Sequence, residues 1–346
     1  MSLWVALAVA AVLTAWAVKS RISYLSIPKL SPPPSGAPAV DCMVVIPARN
    51  EEAMIAGVVA SLPHDTVIVV DDHSDDGTAE AARRAGAGVI QAPDLPRKAI
   101  GKSNACVAGA LLLRSKWVLF ADADTRFEPH FLEAAVAAAE NAGVAFLSIY
   151  LQAETRTWAE RILGPFAVAL YFSGASPRRE AAAAFNGQCV LARRETYEFL
   201  GGHRAVQTEA IEDVKLAAVA VRHRQNIGLA RTADLGHVHL REFWRDVPRQ
   251  ARRYMLVNPR LGLQILIASL CWATWLPVLV WLVLTREWIA AALLLPLPSL
   301  LLRVWYGSWE DSAAAPVAIY GMFAVVWRGL AAALSGKPVK WKGRDV

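Results

Sequence analysis

The stretch FADADTRFEPH, residues 120–130, places two carboxylates one residue apart at the end of an apolar run. The run before it, KWVLF, reads as a short buried strand that Lys116 opens. Side chains two apart on a strand share a face, so Asp122 and Asp124 are expected to converge. Converging carboxylates repel unless a cation lies between them, and binding a hard divalent cation through oxygen is the chemistry this spacing offers. A solvated strand end opening a turn would carry the same residues with no ligand, so the neighbouring clusters must decide.

The elements that would position these acids are legible between about residues 32 and 258. Short β-branched runs, CMVVIP, TVIVVDD, AGVIQ, WVLFAD and VAFLSIY, alternate with Ala-rich helical patterns. That alternation predicts a parallel, doubly wound α/β sheet. Ligands of such sheets bind beyond the carboxyl ends of the strands. Three strand ends carry the polar clusters and fall on one edge: Pro47-Ala48-Arg49-Asn50-Glu51, Asp71-Asp72, and Asp122-Ala123-Asp124. Each fits an ordinary role when taken alone. VVDDHSDDGT suits a strand running into an Asp-capped helix, and GKSNA, with Lys102, suits a helix start with a solvated lysine. Together they describe a nucleotide-diphosphate site: a carboxylate for a base edge, a lysine near phosphate and a metal-binding acid pair. The chain has no GxGxxG turn and no Walker lysine loop, so dinucleotide and P-loop chemistry find no support. A haloacid dehalogenase phosphatase needs DxDx[T/V], whereas Thr125 follows Asp124 directly and Arg126 takes the required place.

Composition sets the surroundings. The chain has 346 residues, is 55% hydrophobic, holds 13 tryptophans and carries 36 basic against 30 acidic groups. That is too apolar for an ordinary soluble domain, and its net charge of +6 suits anionic lipid or a nucleotide diphosphate. Nucleic acid fits less well, because the basic residues mostly sit beside apolar helices. Cys42, Cys106, Cys189 and Cys271 show no CxxC spacing, which points to a reducing compartment and no zinc site. Residues 1–18 are uncharged and are followed by Lys19 and Arg21, the order of an uncleaved anchor rather than a cleaved signal. The 25 uncharged residues of 261–285 form a second span, and 288–305 a third candidate interrupted by Pro296, Pro298 and Arg303. The basic tail GKPVKWKGRDV is expected in the cytosol, which requires an even number of spans after residue 260. Two spans plus a helix around 313–334 at the interface, with Arg328 snorkelling, satisfies that; four spans with the tail outside is the alternative. Residues 155–175 are apolar but broken by Gly164 and Pro165, hence a core or interfacial helix. LREFWRDVPRQARRYML interleaves arginines with Phe243, Trp244 and Tyr254, as an interfacial helix would.

The motifs VVIPARNEE, VVDDHSDDGT, GKSNA, FADADT, FNGQCVLARRETYEFLGGH, IEDVKLA and QARRY occur in the order seen in inverting glycosyltransferases of family 2. Over residues 42–258 the chain resembles that family, and its anchor, FNGQ…GGH and WKGR tail look most like the membrane glycosyltransferases of carotenoid and hopanoid pathways. The resemblance implies a GT-A fold and a hexosyltransferase using a nucleotide-diphosphate sugar of the UDP-glucose type. It implies that Pro47, Ala48, Asn50, Glu51, Asp71 and Asp72 meet the nucleotide, with Asp71 or Asp72 on the base and Lys102 near the diphosphate. Asp122 and Asp124, with Ala123 between them, would act through Mg²⁺ or Mn²⁺. Asn186, Gly187 and Gln188 would line the sugar and acceptor pocket. Asp213, beside Glu212, would be the general base, against the plain reading of helix N-terminal acids favoured by the dipole. Gln250, Arg253 and Tyr254 stand where the family has QxxRW, with Tyr254 departing from the usual tryptophan.

The expected layout is an anchor over 1–21, a Pro-rich linker over 22–40, a GT-A catalytic domain over 41–240, an interfacial segment over 241–260, membrane helices over 261–334 and a basic tail over 335–346. The catalytic domain is expected at the cytosolic face of the cell (inner) membrane, transferring the sugar to a lipid hydroxyl. A polyprenyl-phosphate sugar synthase is a rival reading, but its acceptor is already an anion and needs no base such as Asp213. A non-catalytic, sugar-nucleotide-sensing membrane protein is another, opposed by the joint presence of Asp122, Asp124, Asp213 and Arg253.

Overall fold

The computed structural model describes residues 2–33, 38–63, 65–97, 99–178, 180–209, 211–232, 234–239 and 258–335, with 340, 341, 344 and 345. The chain divides into two compact units, Met1–Ser26 with Thr155–Ser176 and Glu242–Pro338, and Ile27–Glu154 with Pro177–Arg241 and Val339–Val346.

The second unit is the α/β unit. Its strands are β1 (Cys42–Ala48), β2 (Val67–Asp71), β3 (Gly88–Gln91), β4 (Trp117–Ala121), β5 (Thr125–Phe127), β6 (Phe146–Tyr150), β7 (Gln152–Glu154), β8 (Cys189–Arg193), β9 (Ile227–Arg231) and β10 (Gly236–His239). Among the described residues the main sheet runs β3-β2-β1-β4-β8-β6-β9, and a smaller sheet runs β5-β10-β7. The pairs β1–β2, β2–β3, β1–β4 and β6–β9 are parallel. Strand β8 runs antiparallel to both β4 and β6, so the sheet is mixed rather than wholly parallel. Apolar content could not reveal this. CVLAR has four of its five residues buried, and a strand enclosed on both faces reads the same in either direction.

In chain order the helices of this unit and the first of the other are α1 (Ser2–Leu25), α2 (Glu52–Ala60), α3 (Thr78–Arg84), α4 (Gly101–Ala110), α5 (Phe131–Asn141), α6 (Trp158–Gly174), α7 (Arg194–Phe199) and α8 (Glu212–Arg222). Helices α2 to α5 fill the connections that parallel pairing demands. Helix α4 lies close against the sheet because Gly109 has no side chain: a Cβ there would sit 2.5 Å from Val45 Cγ1 and 3.0 Å from Val70 Cγ2.

The first unit holds α1, α6 and the apolar helices that follow residue 258. Among the described residues four helices, Ser2–Leu25, Pro259–Leu284, Trp288–Trp305 and Ala315–Leu334, are long and apolar enough to cross a membrane. The 20-residue Ala315–Leu334, at a mean hydropathy of 1.7, is among them; the sequence left this segment as an interfacial helix or a further span. Its Arg328 is exposed and lies near the C-terminal end, where one charge interrupts little of the apolar run. The Pro259–Leu284 stretch turns at Thr274 between Pro259–Ala273 and Trp275–Leu284. Pro277 has no N–H for the Ala273 carbonyl, and the Tyr320 hydroxyl donates to that carbonyl instead, at 2.7 Å. Helix α6 continues through Gly164 and Pro165, which the sequence reading took as breakers, and it belongs to this unit rather than to the α/β unit. Its start is fixed by a capping box in which Thr157 Oγ1 accepts from Glu160 N while Glu160 Oε2 accepts from Thr157 N. Burial of Ile162, Leu163, Phe166 and Phe172 along the same helix outweighs the local cost of the proline. The interfacial segment expected over 241–260 lies, up to residue 257, outside the described residues, and Gln250, Arg253 and Tyr254 with it.

Two glycines test how tightly the α/β unit is built. Gly109→Ala forces a methyl into the α4–sheet contact and is expected to cost about 1–3 kcal/mol. Gly57→Ala, in α2 with nothing within 4 Å of the new Cβ, is expected to gain about 0.5–1 kcal/mol. Thermal denaturation of the two variants should shift in opposite directions; a neutral Gly109→Ala would refute the close approach.

Candidate functional site

The ends of β1 and β2 are locked to each other by their own loops. The Ala48 carbonyl accepts from Asp72 N at 2.8 Å. Asn50 adopts φ +53°, a left-handed conformation that asparagine tolerates better than most residues, and its Oδ1 accepts from Asp75 N at 2.9 Å. Glu51 N donates to Thr78 Oγ1 at 2.8 Å, and Gly77 N donates to Glu52 Oε2 at 3.2 Å. Arg49 donates to the Asp72 carbonyl at 2.7 Å. Asp71 and Asp72 are both buried, and among the described residues Asp71 Oδ1 has no hydrogen-bond partner. The residues ARNEE and DDHSDDGT are thus two halves of one rigid edge.

Asp122 and Asp124 stand beyond the end of β4, not on it. The strand stops at Ala121, and the next residues form a turn in which Thr125 N and Oγ1 both donate to the Asp122 carbonyl, at 3.2 and 2.7 Å. The pleat therefore does not set the relation of the two acids; the turn does. The outcome is still a repulsive pair. Burial, then Asp122, then Glu51 push the Asp124 carboxyl up to about 7, with Lys102 opposing. Asp124 Oδ1 is buried with no hydrogen-bond partner among the described residues. An acid pair with an unmet inner oxygen suits a divalent cation. Among the described residues no third His, Cys, Asp or Glu completes a protein-only metal cluster, so further oxygens would have to come from a ligand or water.

Lys102, from the first turn of α4, is the hub of the site. Its Nζ lies 2.7 Å from Asp122 Oδ1, 3.3 Å from Glu212 Oε1 and 3.1 Å from the Gly187 carbonyl. Burial alone would lower its pKa, but Asp122 and Glu212 outweigh that and hold the ammonium well above its ordinary range. Glu212 is itself buried, so the ammonium beside it serves as its internal counter-charge.

Asn186, Gly187 and Gln188 form the wall next to this hub. Buried Ser148 clasps Asn186 through both backbone groups, at 3.0 and 2.8 Å, and the Gln188 carbonyl accepts from Asp122 N at 3.0 Å. A Cβ on Gly187 would sit 3.0 Å from Asp213 Oδ2. One cleft is lined by Pro47, Lys102, Asp122, Gly187, Glu212 and Asp213, so six of the sequence-derived positions meet there. His203 also lines it and was not singled out from the sequence. Its ring bonds Tyr197 at 2.8 Å and packs edge-on against Phe120 at 4.6 Å, and burial holds it down to about 4, hence neutral. Only the Gly201-Gly202-His203 run hinted at it. Gly202 has no room for a side chain, since a Cβ would lie 2.3 Å from the Tyr197 ring.

Residues 43–201 match the family described as Glycosyl transferase family 2. A 4,4'-diaponeurosporenoate glycosyltransferase of Staphylococcus haemolyticus (strain JCSC1435) is 41% identical over 100 residues, 27% of each chain. A protein of the same name from Staphylococcus aureus (strain MRSA252) is 32% identical over 188 residues, 51% of this chain and 50% of that one. The chain thus spans between about a quarter and a half of the length of these curated relatives. Among solved structures, the mannosyltransferase PcManGT from Pyrobaculum calidifontis, in complex with GDP-Man and Mn²⁺, superposes with a TM-score of 0.57 at 17% identity, over 97% of this chain and 100% of that one. The mixed sheet with its acid-lined edge therefore shares the GT-A-type fold of that mannosyltransferase, and residues 43–201 are similar to Glycosyl transferase family 2.

Proposed function

We propose that this protein is a membrane-bound inverting hexosyltransferase that moves a sugar from a nucleotide diphosphate to an apolar lipid acceptor, with Mg²⁺ or Mn²⁺ at Asp122 and Asp124. One observation carries the reading: Asp122, paired with Lys102, shares a single cleft with Glu212 and Asp213, and Asp124, two residues on, keeps a buried oxygen with no hydrogen-bond partner among the described residues. Buried Asp71, with an unmet oxygen, would take the nucleotide base, and the ARNEE edge would seat the ribose side. Lys102 would meet the diphosphate. A bound cation would neutralise that diphosphate, which is what lets it leave at neutral pH. Asp213 would accept the proton of the acceptor hydroxyl as the oxygen attacks the sugar carbon from the face opposite the leaving group. Gln250, Arg253 and Tyr254 would complete the diphosphate side, where arginine's fork suits phosphate. The apolar helices support placement in the cell membrane, with the α/β unit at its cytosolic face.

The name borne by the staphylococcal relatives favours a second acceptor chemistry, a carotenoid carboxylate rather than a hydroxyl. A carboxylate is already ionised at neutral pH and needs no base. Asp213→Asn separates the two. With a lipid alcohol as acceptor it is expected to lower kcat by ~10²-fold or more while donor affinity stays unchanged. With a lipid carboxylate the loss is expected to stay below ~10-fold. Glycolipid formation in vesicles, followed by mass spectrometry, gives both numbers, and a variant that instead lost nucleotide binding would remove Asp213 from this role.

The acid pair makes a separate demand. Asp124 is protonated more readily folded (about 7) than unfolded (3.8), so it favours folding at low pH, and that contribution fades as pH rises through 7. Asp124→Asn is therefore expected to abolish turnover, as is EDTA, while raising the metal-free Tm at pH 8 by ~2 °C or more, a gain that shrinks toward pH 4. Retained activity, or a lower Tm at pH 8, would contradict the proposed strain and its purpose.

A further inference from the structure

We infer that Lys102 is an internal stand-in for the cation: it pairs with Asp122 and excludes a free divalent ion until a diphosphate draws it away. The inference rests on the reading of Asp122 and Asp124 as the cation site, and adds that the lysine and the ion compete for one of its oxygens. An ammonium has three N–H donors, and three oxygens lie around Lys102 Nζ to receive them: Asp122 Oδ1 at 2.7 Å, the Gly187 carbonyl at 3.1 Å and Glu212 Oε1 at 3.3 Å. The shortest of these is to the proposed metal ligand.

The other two partners belong to fixed elements. Glu212 sits in the first turn of α8 with its side chain only 6% exposed, and the Gly187 loop is held by the Ser148 clasp on Asn186. Asp122, with its side chain 28% exposed, is the partner nearest solvent and the one an incoming ligand can reach. A dication placed on Asp122 beside this ammonium would meet like charge at short range in a partly buried site, where repulsion is strong. A diphosphate offers Lys102 new acceptors of higher charge, which frees Asp122. The ion is then admitted together with the donor, and a lone cation does not hold the site closed against it.

The test is Mn²⁺ binding to the full-length protein without nucleotide, read from the electron paramagnetic resonance signal of free Mn²⁺. Lys102→Met/Glu212→Gln removes one positive and one negative charge, so it frees Asp122 at unchanged net charge and leaves no orphaned Glu212. It is expected to bind Mn²⁺ at least ~10-fold tighter than the parent. Lys102→Met alone is expected to do the same if it folds, as judged by circular dichroism. An unchanged or weaker affinity in the double variant overturns the inference, including the case where only Lys102→Met tightens binding, because net charge then explains the effect. Adding Asp124→Asn to the double variant is expected to abolish the tight binding. Mn²⁺ binding that survives it overturns the cation site itself, and the competition with it.

Discussion

The arrangement of the α/β unit turns on one buried charge. Glu212 is removed from water at the start of α8, and a carboxylate in that position is tolerable only with a cation held against it. Lys102 is that cation, and it reaches Glu212 from a different helix while also holding Asp122 beyond β4 and the carbonyl of Gly187. Four segments far apart in sequence are thereby tied to one nitrogen. Moving Glu212 away from that nitrogen would leave a buried charge short of its counter-charge, at a cost of several kcal/mol.

Such a network is poor value as a source of stability alone, since apolar residues of similar volume often stabilise as well or better. Its neighbours make the same point. Burial first, then Asp122 and Glu51, make Asp124 hard to ionise, so part of the cost of its charged form at neutral pH is repulsion between like charges. Backbone geometry holds them there: the turn after β4 is pinned by Thr125, and the β1 edge is pinned by Thr78 and Asp75. A fold that keeps like charges together against their own preference is organised around something that will neutralise them.

How much of this could be read from the chain depends on which physical signal each part carries. Strands β1, β2, β3 and β4 were legible because their β-branched runs end in turn-forming Asp, Asn and Gly, and the polar clusters followed from that edge. The direction of β8 was not, because CVLAR is buried on both faces and carries no alternation. The geometry of Asp122 and Asp124 was read from a strand's pleat, yet a turn sets it; spacing specifies proximity but not the backbone that delivers it. The part played by Glu212 was also hidden. Its place at a helix start is what the dipole favours in any helix, and only the tertiary position of Lys102 gives it a partner. Helix α6 was legible as a core or interfacial helix, but its unbroken run through Gly164 and Pro165 was not, since those residues lower helix propensity locally while burial along the whole element decides the outcome.

Gly187 shows how the two sides of the site constrain each other. Its carbonyl accepts from Lys102, on the side proposed for the diphosphate, and its missing side chain leaves room for Asp213, on the side proposed for the acceptor. The same backbone unit is anchored by Ser148 on one flank and by the Gln188–Asp122 bond on the other. A displacement of Lys102 toward phosphate would release the Gly187 carbonyl as well as Asp122, and the loop that carries that carbonyl is the wall against which Asp213 rests. The ion pair and the acceptor-side carboxylate are therefore connected through one residue that has no side chain of its own. Glycine suits that place by space rather than by backbone twist: a Cβ there would press on Asp213 Oδ2 at 3.0 Å, and Asp213 would have to give way.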